Sequence, residues 1–498
     1  MLRKIRVALA AIVFTLLTLL FLDFTGTLQA WFGWLAKIQL VPAILAFNAG
    51  VLIFLILLTL IFGRVYCSVI CPLGVCQDII SWFAGKTKRN RFTYSRPLSW
   101  LRYVMLAIFI VALSLGLSVI VALFEPYSAF GRIASELLAP IYLLGNNLLA
   151  FFAEKIDSYA FYSVDIWIKS GVTLAVAAIT LVVIGFLSWR NGRTYCNTVC
   201  PVGTVLGWLS KISIMRPFIN VDKCTNCRLC EKNCKASCID IKTHAIDYSR
   251  CVACMDCIGK CKFDAMHYKC AFAKKDSPQK DVAEKSDDSS VSRRNFLSLT
   301  ALLTLTTTLK AQEKAVQGGL ATIEDKKIPK RTTHIVPPGA QSIKNVERHC
   351  TACQLCISAC PNKVLRPSTA LTRLMQPEMA YEQGYCRPEC TRCSEVCPTG
   401  AILKITRENK VSTQIGRAVW IADNCIANTQ NVRCNACERH CPVAAIHLVA
   451  VDPNDRRSKQ LPVVSTEMCI GCGACEYYCP ARPFSAMYVE GNEVHRTI

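Results

Sequence analysis

Twenty-four of the thirty-one cysteines in this 498-residue chain fall into six quartets, and each quartet ends C-x3-C. They are Cys224, Cys227, Cys230 and Cys234; Cys251, Cys254, Cys257 and Cys261; Cys350, Cys353, Cys356 and Cys360; Cys386, Cys390, Cys393 and Cys397; Cys425, Cys434, Cys437 and Cys441; and Cys469, Cys472, Cys475 and Cys479. Three closely spaced thiols with a fourth one turn later suit a cubane cluster, which takes three thiolates from one loop and a fourth from elsewhere. A zinc ribbon uses two C-x2-C pairs rather than triplets, and small disulfide scaffolds do not repeat one spacing in this way. The expectation is six [4Fe–4S] clusters, paired as two-cluster units, with these 24 cysteines as their ligands.

Proline follows the last cysteine of the four downstream quartets, at Pro361, Pro398, Pro442 and Pro480, a feature of cluster-binding runs. The formal charge of +22 invites a nucleic-acid reading, but it counts every cysteine as neutral. Six oxidised, thiolate-ligated clusters would lower it to about +10. No helix-turn-helix, zinc finger or RNA-binding signature accompanies the charge, so nucleic acid is excluded as a partner.

Hydrophobic residues make up 52% of the chain, and the excess lies near the N-terminus. Val7–Leu22, Ile38–Gly63, Tyr103–Phe124 and Ser170–Trp189 are uncharged and approach or exceed the roughly 20 residues a bilayer requires. A fifth stretch, Leu137–Ala153, is interrupted by Pro140 and Gly145-Asn146-Asn147 and reads as an interfacial or half-crossing helix. Arg3, Lys4 and Arg6 precede the first span, and Arg64, Lys86, Lys88, Arg89, Arg91 and Arg96 follow the second. The positive-inside bias then puts both ends of a four-helix unit in the cytoplasm. Asp23, Glu125 and Glu136 are candidate proton handlers near the membrane, against the plainer reading of solvated acids at helix ends.

Each hairpin of this unit ends in the same motif, G-R-x-Y-C-x3-C-P-x-G, first at Gly63–Gly74 and again at Gly192–Gly203. The unit therefore reads as a duplicated helical hairpin. Its thiols, Cys67, Cys71, Cys196 and Cys200, suit a metal site, dithiol exchange or the edge of a quinone pocket; the plainer reading is helix capping and packing. Cys76 and Cys270 lack such context. No histidine precedes His244, so a dihaem cytochrome b is excluded, and C-x-x-C-H is absent, so conventional c-type haem attachment is excluded too. No flavin or nucleotide motif is present.

With these motifs in place, residues 1–270 resemble the NapH-type membrane ferredoxins, a group related to the membrane parts of NosR and of the oxidase assembly factor CcoG. The resemblance implies electron movement between the quinone pool and a reductase outside the membrane. It departs at Lys235 and Lys262, which replace the proline after the fourth cysteine, and at Cys238, an extra thiol that offers an alternative to Cys234. Because each fourth cysteine of such units serves the opposite cluster, the ligand sets become Cys224/Cys227/Cys230/Cys261 and Cys251/Cys254/Cys257/Cys234.

From Ala271 the chain is rich in Lys, Asp and Ser, a solvated linker that ends in Ser292-Arg293-Arg294-Asn295-Phe296-Leu297 and a weakly apolar run to Leu309. The segment 292–311 has the twin-arginine export pattern, in an unusual internal position. Residues 345–498 resemble the NapG-type soluble ferredoxins and the four-cluster subunits of molybdenum oxidoreductases. That resemblance implies outer-with-outer and inner-with-inner pairing: Cys350/Cys353/Cys356/Cys479, Cys469/Cys472/Cys475/Cys360, Cys386/Cys390/Cys393/Cys441 and Cys425/Cys434/Cys437/Cys397. Sequential pairing remains open, since spacing alone does not fix partners.

The expected architecture is a multi-domain chain: an all-α transmembrane unit (1–215, four helices in a duplicated hairpin), then α+β ferredoxin-like domains. These are a two-cluster domain (216–270), a linker (271–344) and a four-cluster domain (345–498). The expected function is a quinol-dehydrogenase-type electron-transfer subunit of the bacterial inner membrane rather than a stand-alone enzyme. It would pass electrons from the quinone pool to a partner oxidoreductase or cytochrome, with the two-cluster domain cytoplasmic and the four-cluster domain on the periplasmic face. The alternative is a thiol or copper reductase, or a metallo-assembly protein, acting through Cys67, Cys71, Cys196 and Cys200.

Overall fold

The computed structural model describes residues 2–87, 92–158, 160–271, 324–455 and 458–498, together with a strand pair within 316–322. The twin-arginine-like segment 292–311 lies outside the described residues. The N-terminal half is built on eight helices. They are α1 (Leu2–Leu22), α2 (Ala49–Phe62), α3 (Pro72–Thr87), α4 (Ser99–Ser114), α5 (Ser118–Phe124), α6 (Pro126–Glu154), α7 (Gly171–Asn191) and α8 (Pro201–Ser210), with short helical turns between them.

Helices α1, α6 and α7 are long and apolar enough to cross a membrane; α2 and α4 are apolar but shorter. Local chemistry sets their limits. The Asn48 side chain accepts from Val51 N–H at 3.3 Å and starts α2, and Ser170 does the same for α7 from Thr173 at 3.5 Å. Both end at a glycine with φ near +69°, Gly63 and Gly192, a conformation that costs a Cβ-bearing residue more.

Two expected spans are broken. Ile38–Gly63 divides into Leu40–Leu45 and α2 at Phe47, whose φ is +50°; Tyr103–Phe124 divides into α4 and α5 at Gly116, φ +72°. The expected interruption of Leu137–Ala153 is not seen, because Pro140 and Gly145-Asn146-Asn147 lie inside the continuous 29-residue α6. A π-helical turn over Ala134–Leu138 precedes Pro140, and such a turn loosens the ladder where proline has no N–H to give. Both halves of α6 nonetheless meet the C-terminal region or its neighbours. Ser135 Oγ lies 2.9 Å from Ser358 Oγ. Asn147 bonds Val164 at 2.8 Å, beside Asp165, which pairs with Lys363.

Helices α1, α2, α4 and α7 each touch both cysteine-rich regions or their neighbours. At one face Arg3 of α1 pairs with Asp256, the Phe62 carbonyl ending α2 accepts from Tyr268, Arg102 of α4 bonds Ser249, and Arg193 N–H after α7 bonds the Lys235 carbonyl. At the other face Phe21 of α1 and the Cys353 carbonyl both crowd Gly131, Ala46 lies against Gly400, and Gly116 lies against Arg348. Lys363 there reaches Asp165, in the segment before α7. With 21 residues, α1 separates the faces by roughly 30 Å. One buried core continues from Leu17, Phe21, Tyr127 and Phe130 into Leu355, Ile402 and Val489 of the C-terminal region.

Beyond α8 the secondary structure is sparse. Met215–Ile219 pairs antiparallel with Met266–Cys270, Thr413–Trp420 with Met487–Thr497, and Ile446–Ala450 with Gln460–Val464. Cysteine loops and short helices fill the space between these ribbons.

Candidate metal centres

The cysteine loops share one backbone plan. In the quartets opening at Cys224, Cys251, Cys350 and Cys469, the residues on both sides of the second cysteine take positive φ: Asn226 and Arg228, Ala253 and Met255, Ala352 and Gln354, Gly471 and Gly473. These left-handed residues curl each loop tightly around its second cysteine. Three residues past the fourth cysteine the chain turns left-handed again at Ser237, Asp264, Lys363, Gly400 and Ala444. The turn aims backbone donors at sulfur: Ala265 N–H at Cys261 (3.3 Å), Ile402 N–H at Cys397 (3.4 Å) and Ala445 N–H at Cys441 (3.1 Å). Gly473 is needed on two counts, since its φ is +80° and the Tyr381 ring leaves no room for a Cβ.

Four apolar cavities gather thiols around them. One of about 350 Å³ is lined by Cys224, Cys227, Cys230 and Cys261, and one of about 410 Å³ by Cys234, Cys238, Cys251, Cys254 and Cys257. In the C-terminal region a cavity of about 280 Å³ is lined by Cys469, Cys472, Cys475 and Cys441, and one of about 380 Å³ by Cys425, Cys434, Cys437 and Cys479. This pairing is sequential and corrects the outer-with-outer and inner-with-inner sets implied by resemblance, in which Cys360 and Cys397 held those fourth positions. The first two C-terminal quartets follow suit: after burial, Cys397 is among the groups that raise the pKa of Cys353 and Cys356, and Cys360 raises those of Cys386 and Cys393. The physical reason is local packing. The strand pairs Leu365–Pro367/Pro377–Met379 and Ile446–Ala450/Gln460–Val464 fold back within adjacent quartets rather than across the region.

The thiols fit iron–sulfur clusters in kind. Each cavity is apolar with three thiols from one loop and at least one from another, and N–H groups point at sulfur, as thiolate-ligated clusters require. Burial pushes Cys230 and Cys437 up to about 11 and Cys472 up to about 12, so the unloaded thiols hold protons that ligation must displace. Cys238 adds a fifth thiol to one cavity, 3.5 Å from the Cys234 sulfur, and its hydrogen bond draws the Cys234 pKa down.

The two C-x3-C-P motifs meet in the buried core of the helical unit, and their contacts are reciprocal. Arg64 of the first donates to the Cys196 carbonyl at 3.1 Å; Arg193 of the second donates to the Cys67 carbonyl at 2.6 Å. Gly74 and Gly203 end the motifs because a Cβ there would strike the carbonyl oxygen of Cys67 or Cys196, with the opposite arginine 2.8 Å away in both cases. The tyrosines anchor the motifs: Tyr66 donates to Gln39 at 2.8 Å and Tyr195 to the Phe124 carbonyl at 3.0 Å. Cys71 and Cys200 precede the N-terminal prolines of α3 and α8. Gly203 N–H donates to the Cys200 sulfur at 3.4 Å, and Gly74 N–H donates to the Cys71 sulfur in the same way. All four thiols are buried. They also lie within one another's field: Cys71 with Cys196 and Cys67, and Cys200 with Cys196, Cys71 and Cys67.

A buried ionic hub secures this unit to the first ferredoxin-like region. Asp78 accepts from Arg193 at 2.8 and 2.9 Å and also pairs with Arg6 and Lys235. Burial alone would raise the Asp78 carboxyl, but Arg193 and Lys235 hold it well below the usual range. Lys235 also reaches Asp256 at 3.1 Å. The residue that replaces the expected proline is thus a clamp between regions, and only its position in the sequence hinted at it. Nothing in the structure explains Lys262. The candidate proton handlers Asp23, Glu125 and Glu136 are all buried. Asp23 accepts from Thr25, Gly26 and Gln29 N–H, and Glu125 caps α6 through Tyr127 and Ser128 N–H.

Comparison with known proteins agrees in kind. Residues 45–90 and 171–219 match a family model described as a 4Fe-4S binding domain, and residues 349–401 and 432–482 one described as a 4Fe-4S dicluster domain. The chain is 32% identical to the ferredoxin-type protein NapG of Escherichia coli over 143 residues, 27% of this chain and 61% of NapG. It is 30% identical to the methylamine utilization ferredoxin-type protein MauM of Methylobacillus flagellatus over 158 residues, 31% of this chain and 66% of MauM. It is 24% identical to YccM of Escherichia coli over 225 residues, 44% of this chain and 55% of YccM. The chain thus spans less than two thirds of each of these relatives. No solved structure matches. The three long apolar helices are consistent with a membrane protein. The chain carries two 4Fe-4S ferredoxin domains and is an iron–sulfur electron-transfer protein of ferredoxin type, related to NapG, MauM and YccM.

Proposed function

We propose that the chain is a quinol-dehydrogenase-type relay of the bacterial inner membrane. It carries six [4Fe–4S] clusters in two domains, 216–270 and 345–498, on opposite faces of a four-pass helical unit of NapH type. Electrons enter from the quinone pool and leave to a partner oxidoreductase or cytochrome at the C-terminal face, which the linker segment 292–311 would help to reach the periplasm. The observation that carries this reading is that α1, α2, α4 and α7 each have one end against residues 215–270 and the other toward the C-terminal cysteine region or its neighbours. When bound, the clusters supply one-electron redox chemistry. The chain's own residues hold them in line. Cys386 N–H bonds the Cys472 carbonyl at 2.9 Å, which ties the second C-terminal quartet to the fourth.

Quinol entry is proposed at a surface cleft. It lies where the apolar end of α2 (Phe62) meets Cys251, with Arg64, Arg216, Tyr248 and Tyr268 in its wall. The buried Nε of Arg216 has no partner among the described residues and offers a donor to a quinol oxygen. Each quinol oxidised there gives two electrons, one to each of two clusters, and two protons to solvent on the cytoplasmic face.

The test is anaerobic. Menaquinol or ubiquinol is added to membranes holding the oxidised protein, and cluster reduction is followed by EPR. Reduction that weakens in Arg216→Met is expected. No reduction by either quinol, with dithionite still reducing every cluster, would remove the quinol reading; tight copper binding lost in Cys67→Ser would favour a thiol or copper reductase instead.

A further inference from the structure

We propose that Cys67, Cys71, Cys196 and Cys200 together ligate one further iron–sulfur cluster, buried inside the helical unit and shared between its two halves. The family match over 45–90 and 171–219 is to a 4Fe-4S binding domain, yet those stretches hold only Cys67, Cys71 and Cys76 in one and Cys196 and Cys200 in the other. Neither stretch alone offers four thiols. The reciprocal Arg64–Cys196 and Arg193–Cys67 contacts bring the two pairs together, and Cys76 stands apart from that exchange.

The charge of the site fits. A cluster core with four thiolates carries about two negative charges. Arg193 is neutralised by Asp78, but Arg64 is fully buried, 3.8 Å from the Cys67 sulfur, and among the described residues forms no ion pair with a carboxylate. Its Nε has no partner there either. The N-termini of α3 and α8, of 16 and 10 residues, begin directly after Cys71 and Cys200. Each contributes about half a positive charge, so with Arg64 the cradle offers about two. Gln77 Nε2 adds a donor to the Cys196 sulfur at 3.3 Å.

Position gives the site its purpose. Toward one face Arg64 bonds the Ser249 carbonyl, two residues before Cys251. Toward the other, Tyr195 bonds Phe124, which adjoins Glu125 and Tyr127, and Tyr127 lies in the field of Cys353. A redox centre here divides the roughly 30 Å between faces into two shorter transfers. It accepts an electron from the Cys251 side and gives it to the Cys353 side, with no bond made or broken.

The test uses the full chain purified anaerobically in detergent. Native mass of the holo-chain should show one cluster more than the six quartets accommodate. Cys67→Ser, Cys196→Ser and the double variant should each lose the same iron and sulfide, about two irons for a rhombic cluster or about four for a cubane. Cys76→Ser should lose none. A native mass with six clusters, unchanged iron in the variants, or a double variant losing twice the iron of either single would each overturn the proposal. Arg64→Gln, which keeps every thiol, should move one EPR species to more negative potential and leave the rest; no moved species would overturn it as well. These readouts need no quinol, so failure of quinol reduction would leave them untouched.

Discussion

Arg193 donates from Nη1 to the carbonyl oxygen of Cys67, 126 positions earlier in the chain, at 2.6 Å. Its other two nitrogens are taken by Asp78. A single guanidinium therefore joins the two repeats and the ionic hub, with almost none of its surface exposed.

Asp78→Asn leaves that guanidinium buried and unpaired. A loss of about 3–5 kcal/mol is expected, measured as the unfolding free energy in detergent. Because the Asp78 carboxyl is held below its ordinary range, its contribution is full above the free-carboxylate value of about 4 and is lost only as pH falls through the depressed value. The wild-type hub should therefore persist at mildly acid pH, and the variant's deficit should be the same at pH values of about 6 and 8.

His334 and His495 make the C-terminal region acid-sensitive over a different window. Burial lowers both to about 4. Free histidine titrates near 6.5, so the unfolded chain takes up protons first. The stabilising contribution is full above about 6.5 and falls as pH drops toward about 4. Denaturant midpoints should decline through that range, and His334→Gln with His495→Gln should flatten the decline.

Sequential ligation is read out by pairs of variants. Cys397→Ser combined with Cys350→Ser should cost the iron of one cluster, about four atoms, because both thiols serve one site. Cys397→Ser combined with Cys425→Ser should cost about eight. The outer-with-outer and inner-with-inner arrangement predicts the reverse order.

The fifth thiol of the Cys251 cavity should act as a reserve ligand. With its sulfur 3.5 Å from that of Cys234, Cys238 can take over in Cys234→Ser, which should keep its cluster at a shifted midpoint potential. Cys238→Ser alone should change little, and the double variant should lose the signal in EPR-monitored titration.

The shared plan of the cysteine loops was legible because it is written locally: three thiols in one loop need only short spacings and residues that accept positive φ between them. Which loop lends the fourth thiol depends on how ribbons such as Ile446–Ala450 and Gln460–Val464 fold back, and no spacing encodes that. The repeat announced that Cys67, Cys71, Cys196 and Cys200 matter, and Gly74 and Gly203 carried a readable signal, a glycine fixed at one offset. Asp78 had none, since its partners Arg6, Arg193 and Lys235 come from three distant segments. The continuity of α6 was hidden by Pro140, whose cost is absorbed by the π-helical turn before it.

Lys235, held between Asp78 and Asp256, changes the kinetics available to its neighbours. A free ferredoxin must find its partner by diffusion, and its rate rises and falls with concentration and salt. Here the encounter has already happened and the effective concentration is set by the fold. In the proposed relay, hand-over between the Cys251 quartet and the helical unit becomes a first-order event, indifferent to dilution and closed to competing soluble carriers at that joint.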